Sequence, residues 1–345
     1  MRKLKLLLSL PLLLTISSCV PEPTTKSNSR LNAVKSRNNL ICGVSGQLPG
    51  FSFVDASGKY SGLDVDVCRA IAAALFDNPD AVEFRNLNAK ERFTAVQTGE
   101  VDILSRNTTL TMSRDTSVGL DFAPVVFYDG QGMMVRKSSN IKSLEDLKGK
   151  AICTQTGTTN EQNLADQMRK RGITYKSVVF EDINTAYATY EQGRCDAVTS
   201  DKSQLISRRT TLPKPEDHLI LEQALSQEPL APAVADGDAK WGDAVRWIVN
   251  TTIKAEELGI NSQNVEQLKT STKDPEVRRL LGIEGDLGTG AGLPKDFGAR
   301  IIKHVGNYGE IYDRNLGSKT KLNLPRDNRN QPWTKGGLLY SPPFR

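Results

Sequence analysis

Residues 62–76 read Gly62-Leu63-Asp64-Val65-Asp66-Val67-Cys68-Arg69-Ala70-Ile71-Ala72-Ala73-Ala74-Leu75-Phe76. From Asp64 onward, Val67, Ile71, Ala74 and Leu75 recur at the spacing of one helical face. Asp64 and Asp66 stand at its beginning, where carboxylates cap free amides and oppose the helix dipole. The pattern predicts a helix over 64–76, with both aspartates as structural caps and not a catalytic pair. Upstream, short apolar runs at 40–44 and 51–54, the second followed by the turn 56–59, read as strands. Downstream come a strand at 81–87, a helix at 92–98 ended by Gly99, and a strand at 101–104. Strands alternating with helices are the pattern of an α/β fold whose sheets are covered by helices.

A second round follows the extended segment 132–136. It runs through a strand at 151–153, a helix opened by Gly157-Thr158-Thr159 and reaching Met168, a strand at 178–180, a helix at 183–191, and a strand at 197–199 that ends on Ser200-Asp201. The proline-punctuated apolar run 228–234 reads as a return crossing to the first lobe. The helix at 241–258 turns Val245, Ile248, Val249, Ile253 and Leu258 inward. The expected division is lobe 1 over 38–131 and 231–317, lobe 2 over 132–230, and a C-terminal extension over 318–345. Two lobes joined by two crossings leave a cleft at the strand ends, where open α/β sheets hold ligands.

With 345 residues, 38% hydrophobic and 25% charged, the chain reads as soluble and large enough for two ordinary lobes. Its formal charge is +5, but Arg2, Lys3 and Lys5 precede residue 19, leaving 42 basic against 40 acidic residues in the remainder. Such a balance argues against nucleic acid, which needs a concentrated basic field. Those three cations precede an apolar run over 6–16, the order of a secretory signal peptide, too short to span a bilayer. Ile16-Ser17-Ser18-Cys19 resembles the bacterial lipobox, which makes 1–18 a lipoprotein signal, Cys19 the lipid-bearing first residue of the mature chain, and 19–37 a polar tether. The expected location is the cell envelope or periplasm, lipid-anchored to a membrane.

Export places Cys42, Cys68, Cys153 and Cys195 in an oxidising compartment, and their spacing holds no zinc pattern. Two disulfides are the economical reading, with four buried thiols as the alternative. Of three pairings, Cys42 with Cys68 and Cys153 with Cys195 is favoured because each pair falls within one lobe. With only His218 and His304, both in polar stretches and read as solvated, a His-rich metal site is disfavoured. No metal or cofactor is expected.

Gly62-Leu63-Asp64-Val65-Asp66-Val67 is followed at matching spacing by Ala95-Val96-Gln97-Thr98-Gly99-Glu100-Val101-Asp102, Thr109-Leu110-Thr111 with Arg114, Leu147-Lys148-Gly149-Lys150, Gly157-Thr158-Thr159 and Gly193-Arg194-Cys195-Asp196-Ala197. This series resembles the family 3 bacterial extracellular solute-binding proteins, amino-acid receptors of ABC importers. Ser105-Arg106-Asn107-Thr108-Thr109, Tyr128-Asp129-Gly130-Gln131-Gly132, the segment 305–312 and Trp333-Thr334-Lys335-Gly336-Gly337-Leu338 resemble its general L-amino acid branch. The resemblance spans about 38–345 and implies a two-lobed periplasmic-binding-protein-like fold of type II, with a hinge and an interlobe cleft. It also implies capture of L-amino acids, delivery to ABC permease subunits, and a monomer.

On that resemblance, Arg114 is the candidate for the ligand carboxylate, since a planar guanidinium pairs with both oxygens and stays charged when buried. Thr109 assists it, and Arg106 and Asn107 lie on the same cleft-facing turn. Thr158 and Thr159 bring a helix N-terminus from the other lobe. Asp201 accepts the ligand ammonium, while Ser45 fills a position that is acidic in some relatives. Leu48 and Ala89 replace rings that often enclose the ligand, which points to broad specificity; Phe51 nearby reads as core. One rival is a dehydratase-type enzyme on the same fold, although GxSxG, HExxH and P-loop motifs are missing and Gly288-Thr289-Gly290-Ala291-Gly292 reads as a loop. The other is an amino-acid receptor serving a sensor or chemoreceptor.

Overall fold

The structure, a computed structural model, describes residues 29–345; Cys19 and the signal segment lie outside the described residues. Two five-stranded sheets carry the same plan. In the first, the order is Val82–Asn86, Leu40–Val44, Ile103–Leu104, Ala233–Ala235, Leu120–Phe122. Its first three strands are parallel, and the strand from 233 runs antiparallel to its neighbours. In the second, the order is Lys176–Phe180, Ala151–Gln155, Ala197–Asp201, Gln131–Arg136, His218–Ile220, again with three parallel strands followed by antiparallel partners. Phe127–Asp129 pairs antiparallel with Glu228–Leu230 where the chain passes out and back between lobes. This is a two-lobed α/β architecture with a paired-strand hinge.

The deciding stretch forms the helix Leu63–Phe76, buried on nearly every side, with the helices Ala239–Glu257 and Phe297–His304 packed against it. Its start depends on Gly62, whose φ of 132° lies outside the range of ordinary side chains; a Cβ there would stand 2.1 Å from Phe51 O. Cys68 on this helix is joined to Cys42 on the adjacent strand with Cα atoms 6.4 Å apart, and Cys153 is joined to Cys195 at 5.7 Å.

Several expectations change. Residues 30–37, read as tether, form the helix Arg30–Arg37, because Leu31 and Val34 enter the core and Arg30 and Arg37 pair with the buried Asp102. Asp64 and Asp66 accept no amide of their own helix. Instead, Asp64 Oδ2 accepts the Asn107 amide at 3.0 Å, and Asp66 pairs with Arg314 and Arg69. Gly288 belongs to a short helix, Leu287–Gly290, capped by Asp286, and not to a loop. His218 is buried, its Nδ1 2.8 Å from the Tyr190 hydroxyl; His304 stays half-exposed against Asp77. Phe51 is core, packed edge-on against Phe127.

The C-terminal extension is part of the body. Asn330, itself buried, accepts the Tyr128 amide at 2.7 Å and donates to the Tyr128 carbonyl at 3.0 Å, satisfying both backbone groups of a hinge residue. Arg326 forms a two-pronged ion pair with Glu256 at 2.6 and 2.9 Å, and Phe344 packs on Trp247.

Candidate ligand-binding site

Residues that follow strands of both sheets meet across the gap between the lobes. From the first lobe, the turn 105–109 is held by Asp64 through the Asn107 amide, which lets Asn107 adopt a φ of 29°. Thr109 follows, and Thr111 caps the short helix Met112–Thr116 by accepting the Arg114 amide. That cap aims the Arg114 side chain inward: it is 7% exposed, its Nη1 donates to Thr109 O at 2.8 Å, and its guanidinium lies over the Phe93 ring. Burial lowers the Arg114 pKa, and the carboxylates of Glu228 and Asp201 oppose that shift.

From the second lobe, Gly157 turns the chain with a φ of 73°, close against Ala89, where a Cβ would meet Ala89 O at 3.1 Å. Thr158 then caps the helix Thr159–Lys170: its hydroxyl accepts the Glu161 amide and donates to Gln155 O at 2.6 Å. Thr158 is thus engaged by its own helix, whereas the Thr159 hydroxyl reaches across to within 3.4 Å of the Thr109 hydroxyl. Asp201 ends its strand fully buried, accepting from Asn160 Nδ2 at 2.9 Å. Burial foremost, then the nearby Asp129 and Glu228 carboxylates, push its pKa up to about 8. Asp129 is raised as well, chiefly by burial.

Glu228 was not singled out by sequence reasoning, which saw only a hinge strand. Its Oε2 accepts from Thr109 Oγ1 at 2.6 Å and Thr159 Oγ1 at 2.8 Å, and its Oε1 from Asn163 Nδ2 at 2.8 Å. One buried carboxylate thereby ties both lobes at the place where the two threonines meet. The only sequence signal was a lone acid in an apolar run.

Ser45, Arg106 and Gln155 line a cavity of about 160 Å³ between the lobes, with Asn86, Asn88 and Gln47. Leu48, Asn107 and Gln204 line a narrow continuation of it. Further bonds span the lobes: Asn107 Nδ2 to Gln204 Oε1 at 3.1 Å, Ser207 Oγ to Pro49 O at 2.7 Å, and Lys90 to Glu181 at 2.7 Å. The lobes are therefore closed on each other. Among the described residues, no group of three or more His, Cys, Asp or Glu side chains is placed to hold a metal ion.

Two α/β lobes closed on each other over a polar cleft define the class of two-lobed binding proteins. Residues 40–277 match the family of bacterial extracellular solute-binding proteins, family 3, and the chain belongs to it. It is 49% identical over 321 residues to the general L-amino acid-binding periplasmic protein AapJ of Rhizobium johnstonii, covering 92% of this chain and 94% of that one. It is 48% identical over 319 residues to the glutamate/glutamine/aspartate/asparagine-binding protein BztA of Rhodobacter capsulatus, covering 92% and 94%. A periplasmic binding protein of an ABC transporter from Brucella ovis, solved with glutathione bound, shares 50% identity and a TM-score of 0.89 over 92% of this chain and 99% of that one.

Proposed function

We propose that this protein captures L-amino acids of several kinds in the interlobe cleft, outside the cytoplasmic membrane, and presents its closed form to an ABC permease. The observation that carries the reading is the placement of Arg114 and Asp201, buried on opposite lobes and each within electrostatic reach of the other. An α-amino acid offers the carboxylate and ammonium that such a pair requires. With both hydroxyls given to Glu228, the backbone amides of Thr109 and of the helix's first turn at Thr159 complete the carboxylate side, and Asn160 orients the acid that receives the ammonium. Both relatives are named as amino-acid-binding proteins, one of them periplasmic, and the Brucella ovis structure is named as an ABC transporter's periplasmic binding protein, which supports the ligand class, transport over sensing, and binding over turnover.

Ligand shifts the open and closed populations, because only the closed form offers both walls at once. The signal segment and Cys19 support export and a lipid anchor that holds the body at the membrane surface, and export supports formation of both disulfides. Leu48 lines the cavity's continuation and Ala89 is buried, neither supplying an enclosing ring, which supports breadth. Competition with Ala, Glu, His and Leu tests breadth; one competitor outstripping all others would refute it. Cys19→Ala should release the protein from the membrane fraction, and retention there would refute the anchor.

A further inference from the structure

Asp201 leads directly into the helix Lys202–Arg209, a rod about 12 Å long. Its first turn is tied to the hinge: the Lys202 amide donates to Gly130 O at 2.8 Å and the Ser203 amide to Asp129 Oδ2 at 3.2 Å. Its far end reaches the other lobe. Gln204, Ser207 and Arg208, spaced i, i+3 and i+4, share one face and are buried. Ser207 Oγ donates to Pro49 O at 2.7 Å, Arg208 Nη1 donates to Gln47 O at 3.1 Å, and Gln204 Oε1 accepts from Asn107 Nδ2 at 3.1 Å. Arg208 is also held on its own lobe, with Nη2 on Asn184 Oδ1 at 2.6 Å and its guanidinium over the Tyr187 ring. Little side-chain freedom is therefore lost when it meets the opposite wall.

The receiving half is a tight turn. Gln47 and Leu48 pair antiparallel with Phe53 and Ser52, and Gly50 between them has a φ of 84°. A Cβ on Gly50 would stand 2.1 Å from Leu322 Cδ1 and 2.8 Å from Leu316 Cδ2. The C-terminal extension, through Leu322, is thus packed directly behind the turn whose two carbonyls the helix meets.

Bonds that join opposite lobes exist only while the cleft is closed. A ligand enters before they form and leaves after they break, so they act on dissociation far more than on association. Gln204 and Arg208 also line the narrow continuation of the cleft cavity, whereas Ser207 is fully buried and lines neither part of it. The Lys90–Glu181 pair spans the lobes as well, but both side chains are exposed and water screens them.

We infer that the helix Lys202–Arg209 and the turn 47–49 form a clasp that sets how long the closed complex lasts, by the same factor for every ligand, and that the C-terminal extension backs this clasp at Gly50. Ser207 and Arg208 are positioning residues in it, holding the walls together while Arg114 and Asp201 hold the ligand. The choice of ligands for the test rests on the amino-acid reading above; the clasp itself rests on the contacts between the lobes.

The test is the release rate of L-glutamate, L-glutamine and L-alanine from wild type, Ser207→Ala, Leu322→Ala and Lys90→Met by stopped-flow displacement, with a melting curve and small-angle scattering of each ligand-stripped protein. Ser207→Ala should speed release of all three by one shared factor of roughly fivefold, the worth of one buried hydrogen bond, with a melt close to wild type. Association should stay within about twofold. Leu322→Ala should speed release in the same uniform way, and Lys90→Met should leave it within about twofold. Factors that differ among the ligands would make Ser207 a ligand contact, and unchanged release from Ser207→Ala would make its bond incidental to closure; either result overturns the inference. Unchanged release from Leu322→Ala would remove the extension from the clasp. Wild type that binds none of the three would overturn the amino-acid reading alone, since ligand-stripped Ser207→Ala should still scatter as a more open particle than wild type; equal scattering would then overturn the clasp as well.

Discussion

Asp201 makes ligand affinity depend on pH in a direction that can be worked out in advance. In the closed, empty cleft, burial and the neighbouring Asp129 and Glu228 carboxylates hold its pKa at about 8, so at pH 6 to 7 the group is mostly protonated there. A ligand ammonium favours the ionised form and lowers the pKa in the complex. The complex therefore binds fewer protons than the empty closed form, and the affinity of that form rises with pH until Asp201 is ionised without help near pH 8. Each unit is worth about 1.36 kcal/mol, so affinity should climb by up to about tenfold per unit, reaching about fiftyfold between pH 6 and pH 8, where Asp201 is half ionised. The assay is isothermal titration across that range, in two buffers of different ionisation enthalpy, which counts protons released. Asp201→Asn should abolish both slope and release and bind more weakly at pH 8 by roughly 2–5 kcal/mol, because a neutral amide leaves a desolvated ammonium uncompensated. Flat affinity without proton release in the wild type, or a slope that survives in Asp201→Asn, would refute the reasoning.

Arg114→Ala should cost roughly 2–5 kcal/mol of binding, since the ligand carboxylate would stay desolvated and unpaired; affinity near wild type by titration would discard the assignment. Glu228→Ala leaves Thr109, Thr159 and Asn163 without their common acceptor, and should weaken closure by roughly 1–3 kcal/mol. Small-angle scattering should show a larger fraction of open molecules; an unchanged profile with unchanged affinity would remove Glu228 from the mechanism. Asn330→Ala strips both partners from the part-buried backbone of Tyr128, and should lower stability by roughly 1–3 kcal/mol. Calorimetry reads this as a reduced Tm, and an unshifted melt would show that the tail does not brace the hinge.

The architecture was legible because its elements are locally consistent. The stretch from Gly62 to Phe76 combines an obligatory positive φ with an apolar helix, and the observed Leu63–Phe76 differs from the expected span by one residue. The strands before and after it were similarly bounded by turn residues. Arg114, Thr109, Thr159 and Asp201 were legible through ordered motifs, and they gather at the ends of strands from both lobes. Other features depend on long-range contacts that periodicity does not encode. Arg30–Arg37 is polar enough to read as tether until Leu31 and Val34 find the core. Asp64 sits where a cap belongs, yet its partner is the amide of Asn107, 43 residues away. His218 has polar neighbours in sequence, but Tyr190 and Arg136 cover it in space. Glu228 meets Thr109 across a sequence separation of 119, and no local signal marks such an encounter.

The central claim is that this cleft holds α-amino acids by both charged ends. The most direct test is isothermal titration of the soluble body, unfolded and refolded to strip carried ligand, against a panel of L-amino acids with prephenate as an enzyme-type control. One-to-one binding of several chemically different amino acids, lost when the α-ammonium is removed from the ligand, is the predicted result. No binding by any amino acid, or conversion of prephenate, would contradict it.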